Sequence, residues 1–499
     1  MGCFSDKSNI EKNITPNIKK TNDTENAILK KKNNGENEDD NDDDVERYET
    51  GTSYKNGKKG EDGTIRYENG NYYKGEEKGG KRHGKGTEYY KDDEMIIYEG
   101  DWIDDLPDGN GKFIDRCGFY YIGQFKKGLR HGKGKEYTDK GQLIYEGEFV
   151  NDKKEGEGKY IFEDGNYYIC QFKNGKGNGK VKEFYKNGEL KFEGTFVNGK
   201  VEGEGKRIYE DGTYHIGQYK NNFRHGKGKV FSKEGKILYE GEFVDGFIGE
   251  NGKQYFDCGN YYIGQFKNGK RNGKGKLYLE NGELIYEGDY VDDNAEGNGK
   301  ILLKNQNYYI GQFKNGKRHG KGKCYSKNGK LLCEGDYFND LLEGNGKFYC
   351  SDGSYYIGQF KNNKPHGNGK KYDKDGKIIY EGDLVDGLAE GNGKYYYNNG
   401  GYYIGQFKKD KKHGKGKQYD KTGELIYEGD FIDGYKEGNG KLYYTDGSYY
   451  IGQFKKGMQD GDGKEYDKDG NLIRWITFDE GKAISSAQMA WRLIKNNTN

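Results

Sequence analysis

Residues 307–330 read Asn307-Tyr-Tyr-Ile-Gly-Gln-Phe-Lys-Asn-Gly-Lys-Arg-His-Gly-Lys-Gly-Lys-Cys-Tyr-Ser-Lys-Asn-Gly-Lys330. Tyr309, Gly311 and Phe313 lie two apart, so they share one face of a strand. Asn315-Gly316 follows, a pair suited to the positive φ of a two-residue hairpin turn. Gly320 and Gly322 then fall two apart on the returning strand. That spacing places both on one face, where a missing side chain leaves room for a neighbouring ring. The stretch reads as a β-hairpin.

The hairpin recurs along the chain. With the central Gly of aromatic-x-Gly-x-aromatic as position 0, the pattern runs from Gly75 to Gly452 in 17 copies, one of them carrying Cys170 in place of Gly. After a first gap of 25 residues the spacing alternates between 23 and 24, so two units make a 47-residue super-repeat. Gly51 opens a degenerate unit upstream, and Ile476 stands where an eighteenth Gly would fall. Turn pairs punctuate the strands within units, as at Asn174-Gly175 and Asp386-Gly387, and between them, as at Asp211-Gly212 and Asp446-Gly447. A lone hairpin cannot bury enough surface to order itself, so stability must be collective. The expectation is an all-β fold: an elongated, twisted, single-ribbon array of antiparallel β-hairpins. Some 34–36 strands would span on the order of 165 Å.

Composition agrees with a thin ribbon and excludes other classes. Of 499 residues, 31% are hydrophobic and 33% charged, which alone would suggest a solvated, disordered chain. Yet there are 85 Gly against 3 Pro, and 15% of residues are aromatic. A large enzyme with a Leu/Val/Ile core is excluded. No 18-residue apolar run or secretory signal is present. A net charge of +1 gives no argument for a nucleic-acid partner.

Tyr-x-Gly-x-Phe followed by Gly-Lys-x-His-Gly-x-Gly, as at 309–322, resembles the MORN (membrane occupation and recognition nexus) repeat. The resemblance covers 73–478. The usual first-strand Trp is present only as Trp102, and Phe, Tyr or Leu384 stands there elsewhere. It implies a non-enzymatic scaffold at membrane–cytoskeleton junctions, cortical structures or cilia, with self-association as a possible homodimer through terminal repeats.

The super-repeat is chemical as well as geometric. Residues 307–330 hold seven Lys/Arg and no acid, whereas 331–353 hold one Lys and five acids. Position +8 shows the swap: His83, His131, His225, His319, His366 and His413 in basic units; Glu155, Glu202, Glu296, Glu343, Glu390 and Glu437 in acidic ones. Two readings stand side by side. Sign alternation specifies lateral pairing on a solvated sheet, or it forms a ladder of basic patches for anionic lipid headgroups or an acidic partner. Candidate contacts for the second are Lys126, Lys127, Arg130 and Lys133 in one basic unit, and Lys314, Lys317, Arg318, Lys321 and Lys323 in another.

Catalytic and cofactor motifs are missing. The repeated His lie at least two hairpins apart, too far for one metal, and are read as structural. The carboxylates are as regular, and no pair stands out for acid–base work. Gly-Lys-Gly-Lys lacks phosphate-loop spacing. Seven Cys form no CxxC: Cys117 and Cys258 sit near turns, Cys170 replaces a repeat Gly and Cys333 a repeat Tyr. This set points to reduced cytosolic thiols. No catalytic, metal or cofactor residue is assigned.

Four segments follow. Residues 1–47 are an Asn/Lys/Asp-rich tail expected to be disordered; 48–72 are the degenerate repeat; 73–478 the array; 479–499 a short capping helix. That helix is read over 483–495, with Ile484, Ala487, Trp491 and Ile494 on one stripe. In Met1-Gly2-Cys3, Gly2 is a myristoylation candidate and Cys3 a palmitoylation candidate, and Asp6 stands where the usual signal has Ser or Thr. Two acyl chains make a stable anchor where one does not. The functional expectation is a scaffold tethered to the cytoplasmic face of a plasma or internal membrane at the cell cortex. Its partners would be membrane lipids through the acyl groups and cortical or cytoskeletal proteins. A phosphoinositide-binding module and an axonemal component without lipid contact are the alternatives.

Overall fold

The structure, a computed structural model, describes residues 57–91 and 94–485. The described residues form 39 β-strands and no helix. They divide into two units, one ending at Arg271 and one beginning at Asn272. In each, strands pair antiparallel with their neighbours in sequence, as expected from the repeat.

In the first unit, strand Tyr120–Lys126 pairs with Leu129–Tyr137 and sets Gly123 opposite Gly134; Leu129–Tyr137 then pairs with Leu143–Val150 and sets Gly134 opposite Gly147. In the second, Gly311, Gly322, Gly335, Gly346 and Gly358 follow one another across successive strands in the same way. A row of glycines therefore runs through the middle of each sheet. The position −2 tyrosines lie across this row. A Cβ on Gly322 or Gly134 would collide with the ring of Tyr309 or Tyr121. The phenol then donates to a carbonyl three residues on, Tyr309 to Gln312 O at 3.0 Å and Tyr121 to Gln124 O at 3.0 Å.

Position +2 aromatics pack edge-on between these rings. Tyr121 meets Phe125 and Phe149 at 5.1 Å each, and Tyr145 meets Phe149 at 5.2 Å and Phe172 at 5.1 Å. Edge-to-face geometry of this kind adds to simple burial. In each unit the core is thus one face of the sheet, lined by an aromatic zigzag. Tyr145, Tyr239, Tyr309, Tyr403 and Tyr427 are fully buried in it.

Three local readings are corrected. Gly320 and Gly322 do not share a face. The register slips between Gly311 and Phe313, and Gly320 sits there with φ +64, beside Gln312 instead of a ring. That glycine serves a β-bulge. The between-unit turns are not two-residue turns. At Asp211-Gly212 only the Gly has positive φ, Gly212 N donates to Tyr209 O, and the Asp211 carboxylate accepts from Thr213 N at 2.9 Å. This is a type I turn closed by a glycine bulge. Finally, Ala483, the expected first helical residue, lies in strand Lys482–Ala483, opposite Phe478. Residues 486–499, which carry most of the expected helix, lie outside the described residues, as does the tail 1–47.

At the start, Lys58–Lys59 pairs with Ile65–Arg66, which pairs with Tyr72–Lys78, so the degenerate repeat contributes a shortened hairpin. At the far end Gly463 faces Ile476, the place of the missing eighteenth glycine.

Candidate functional site

The opposite face of the sheet carries the charge. Its organising residue is Lys at position +12, present in basic and acidic units alike. Where a basic unit meets the next acidic one, this Lys faces a Glu at −1. Lys135 reaches Glu146 at 2.9 Å, Lys323 reaches Glu334 at 2.8 Å, and Lys370 and Lys417 reach Glu381 and Glu428 at 3.0 Å each. The neighbouring carboxylate raises the Lys323 ammonium above its usual range. A second rung joins Lys at +10 to Asp at +1, as in Lys321–Asp336 and Lys274–Asp289, both 2.5 Å.

Where an acidic unit meets the next basic one, −1 is Ile instead of Glu, and Lys turns onto the ring of Tyr at −3. Lys159 lies 3.9 Å from the Tyr167 centroid, Lys394 4.1 Å from Tyr402 and Lys441 3.7 Å from Tyr449. Each such Tyr is stacked on a second ring from its own hairpin, Tyr355 on Tyr372 and Tyr402 on Tyr419 at 4.6 Å. One residue type thus makes an ion pair at one junction and a cation–π contact at the next. The sequence reading did not find this second aromatic pair. Its signal is a Tyr at −3, which at that position is confined to basic units.

Turns dock each unit on the one before. Asp340 has φ +73, its N–H donates to Arg318 O at 2.9 Å, and its carboxylate accepts from Arg318 N at 2.9 Å. Acidic units use Glu at +8 for the same end. Glu343 accepts from Asn362 N at 2.9 Å, Glu390 from Lys409 N at 2.8 Å and Glu437 from Lys456 N at 2.8 Å. The histidines replace these carboxylates in basic units. His319 packs beside Phe338 at 5.2 Å, and the Nδ1 atoms of His319, His366 and His413 are buried without a hydrogen-bond partner.

The candidate contact residues separate accordingly. Arg130 and Arg318 are internal. Arg130 binds Glu136 at 2.7 Å and Asp152 at 3.3 Å, and Arg318 binds Asp340 at 3.3 Å, each guanidinium lying over aromatic rings. Lys321 and Lys323 are held in ion pairs. Lys133 is exposed, and its N–H donates to Gln124 Oε1 at 3.1 Å. Lys127 occupies a hairpin turn with φ +51. Lys126, Lys314 and Lys317 stand at hairpin tips, the last pair of residues before and after the turn. Gly2 and Cys3 lie outside the described residues.

Those tips follow a pattern in the unit beginning at Asn272. Paired across successive turns are Lys314 with Lys317, Phe338 with Leu341, Lys361 with Lys364, Val385 with Leu388, Lys408 with Lys411, and Ile432 with Tyr435. From Lys314 to Tyr435 dilysine and apolar tips alternate, whereas Val291–Asn294 before them and Lys455–Met458 after them are mixed. Phe338 is 57% exposed and Tyr435 58%. Lys364 and Lys411 reach Asp386 and Asp433 only at 3.6 and 3.8 Å, weak surface pairs. Among the described residues, no three His, Cys, Asp or Glu side chains gather as metal ligands.

These features define a tandem β-hairpin repeat protein whose distinctive surfaces are its junctions and tips. The MORN repeat family matches at 16 places between 73 and 472, and a MORN repeat variant matches at 178–198, from the returning strand of the Cys170 unit into the first strand of the next. The chain belongs to the MORN repeat family. No curated protein matches it. Among solved structures, a mutant of the TCP10 domain of Danio rerio CPAP is 13% identical, with a TM-score of 0.16 over 51% of this chain and 95% of that one. A protein of unknown function from Bacteroides caccae is 13% identical, with a TM-score of 0.12 over 52% of this chain and 93% of that one. Neither likeness carries an argument here.

Proposed function

We propose that this protein is a non-enzymatic MORN-repeat scaffold held at the cytoplasmic face of a membrane, where it presents its repeats to cortical or cytoskeletal partners. The observation that carries this reading is the alternation of dilysine and apolar tips between Lys314 and Tyr435. Lysines attract an anionic leaflet, at about 1 kcal/mol per residue near the surface. Exposed Phe338, Val385 and Ile432 supply apolar groups for the headgroup–acyl boundary. Acylation at Gly2 and Cys3 would add a separate anchor. The ion-paired lysines on the sheet face are spent on junctions, which leaves the tips as the lipid-facing set.

The test uses full-length, unacylated protein and vesicles of phosphatidylcholine with or without phosphatidylserine. The expected result is cosedimentation only with the anionic vesicles, weakened by salt and by Phe338→Ser with Ile432→Ser. Equal binding by wild type and variant would remove the tips from the proposal. In cells, Gly2→Ala with Cys3→Ala should lower the membrane fraction. An unchanged fraction would remove the acyl anchor.

A further inference from the structure

Cys324 and Cys333 are the one cysteine pair set directly opposite each other on neighbouring strands among the described residues. Strand Lys317–Tyr325 ends a basic unit and strand Leu331–Phe338 begins the next acidic one. Both side chains lie on the aromatic face and are 4% and 2% exposed. Cys333 occupies the −2 position, where the other acidic units carry Tyr or Phe192. Without that large ring, Leu342 fills the space above Gly335. The two sulfurs converge on one hydroxyl: Tyr337 Oη is 3.2 Å from Cys324 Sγ and 3.3 Å from Cys333 Sγ. The Arg318 guanidinium lies over the Tyr309 and Tyr337 rings.

We propose that Cys324 and Cys333 form a peroxide-reactive dithiol site that closes to a disulfide across the two strands. Residues directly opposite on one face have Cβ atoms about 4.5–5.5 Å apart, and a disulfide needs about 3.5–4.5 Å, so closure takes only a small local shift. A hydrogen bond from the Cys333 thiol, aided by Tyr337 and Arg318, holds Cys324 below the usual thiol range. Cys324 shares its strand with Arg318, whose cation favours a thiolate, and is assigned as the attacking sulfur. Buried Cys170, which has no such partners, is pushed the other way, up to about 12, by burial.

The chemistry balances with hydrogen peroxide as oxidant. The Cys324 thiolate attacks one peroxide oxygen, the O–O bond breaks, and Cys324 becomes a sulfenic acid while the other oxygen leaves as water after protonation. Cys333 sulfur then attacks the sulfenic sulfur. The S–S bond forms, the S–O bond breaks, and the hydroxyl leaves as a second water with the Cys333 proton. Two thiols are oxidised and one peroxide is reduced to two waters. This inference is independent of membrane binding.

The experiment treats full-length reduced protein with hydrogen peroxide, then counts thiols in denaturant and maps peptides. The expected result is a fall from seven thiols to five, a mass loss of two hydrogens, a 324–333 cross-linked peptide, and recovery with dithiothreitol. Exposed Cys117, Cys258 and Cys350 are internal controls and should stay reduced at peroxide levels that close the pair. Cys333→Ser keeps the side-chain size beside Leu342, so the hairpin is retained, and should abolish the cross-link. Oxidation that falls first on the exposed cysteines overturns the proposal. So does conversion of Cys324 to a sulfinic acid with no cross-link.

Discussion

His215 and Tyr219 stand where the other basic units carry Tyr at −2 and, in most, Phe at +2, and the pair gives a sharp test of the aromatic core. His215 is fully buried, its Nδ1 lies 2.9 Å from Tyr219 Oη, and its ring meets Tyr219 and Phe243 edge-on at 5.3 and 4.8 Å. Burial, reinforced by the cations Arg224 and Arg207, lowers its pKa from 6.5 to about 3. The native imidazole therefore stays neutral over a range in which the unfolded one gains a proton. A depressed histidine pKa leaves stability intact above about pH 6.5 and removes it as pH falls toward 3. Between pH 7 and pH 5 the loss is about 2 kcal/mol, at 1.36 kcal/mol per pH unit below the unfolded pKa. The double change His215→Tyr with Tyr219→Phe restores the repeat pair, for which Gly217 and Gly228 already leave the slot. It should abolish this pH dependence. Native-state hydrogen exchange of strands Tyr214–Lys220 and Phe223–Phe231, corrected for intrinsic rates, is the assay, because an array need not unfold in one step. Wild-type protection should fall roughly 30-fold more than that of the variant between the two pH values. Equal losses in both proteins would refute the assignment of a neutral, buried His215.

Gly322→Ala forces a methyl into the Tyr309 ring and should cost about 2–3 kcal/mol locally, whereas Gly316→Ala meets open space at φ +75 and should cost about 1 kcal/mol; exchange rates of the same hairpin distinguish them. Lys323→Glu sets like charges opposite each other at the Glu334 junction, and adding Glu334→Lys should restore the wild-type unfolding midpoint at low salt. In high salt, single and double variants should move closer together, since Lys323 is exposed and Glu334 half-exposed.

The fold was legible because Tyr309, Gly311 and Phe313 carry the period of a strand and Asn315-Gly316 the chemistry of its turn. The 23/24 spacing then placed every unit along the chain. Gly320 was misread because it lies inside a bulge where 319–321 oppose the single residue Gln312, and no period-2 pattern reports a bulge. The charge swap was visible, but its meaning was not. Lys321 and Lys323 look identical to Lys314 and Lys317 in sequence, yet the first two face carboxylates on the next strand while the others flank a turn. Arg318 is less legible still: burial beneath aromatic rings depends on which face the returning strand turns inward. The Cys324–Cys333 pair required the inter-unit register, which spacing alone leaves open.

The two kinds of junction also constrain how such a chain can change length. Deleting one acidic unit would bring two basic units together, and Lys at +12 would then face Ile in place of its Glu partner, while the +10 Lys would face Gln at +1 in place of Asp. Deleting 47 residues preserves both junctions. The array is therefore a string written in two-letter words. Gene duplication or loss that copies whole words keeps every lysine matched, and a slip by half a word leaves an electrostatic scar at the seam.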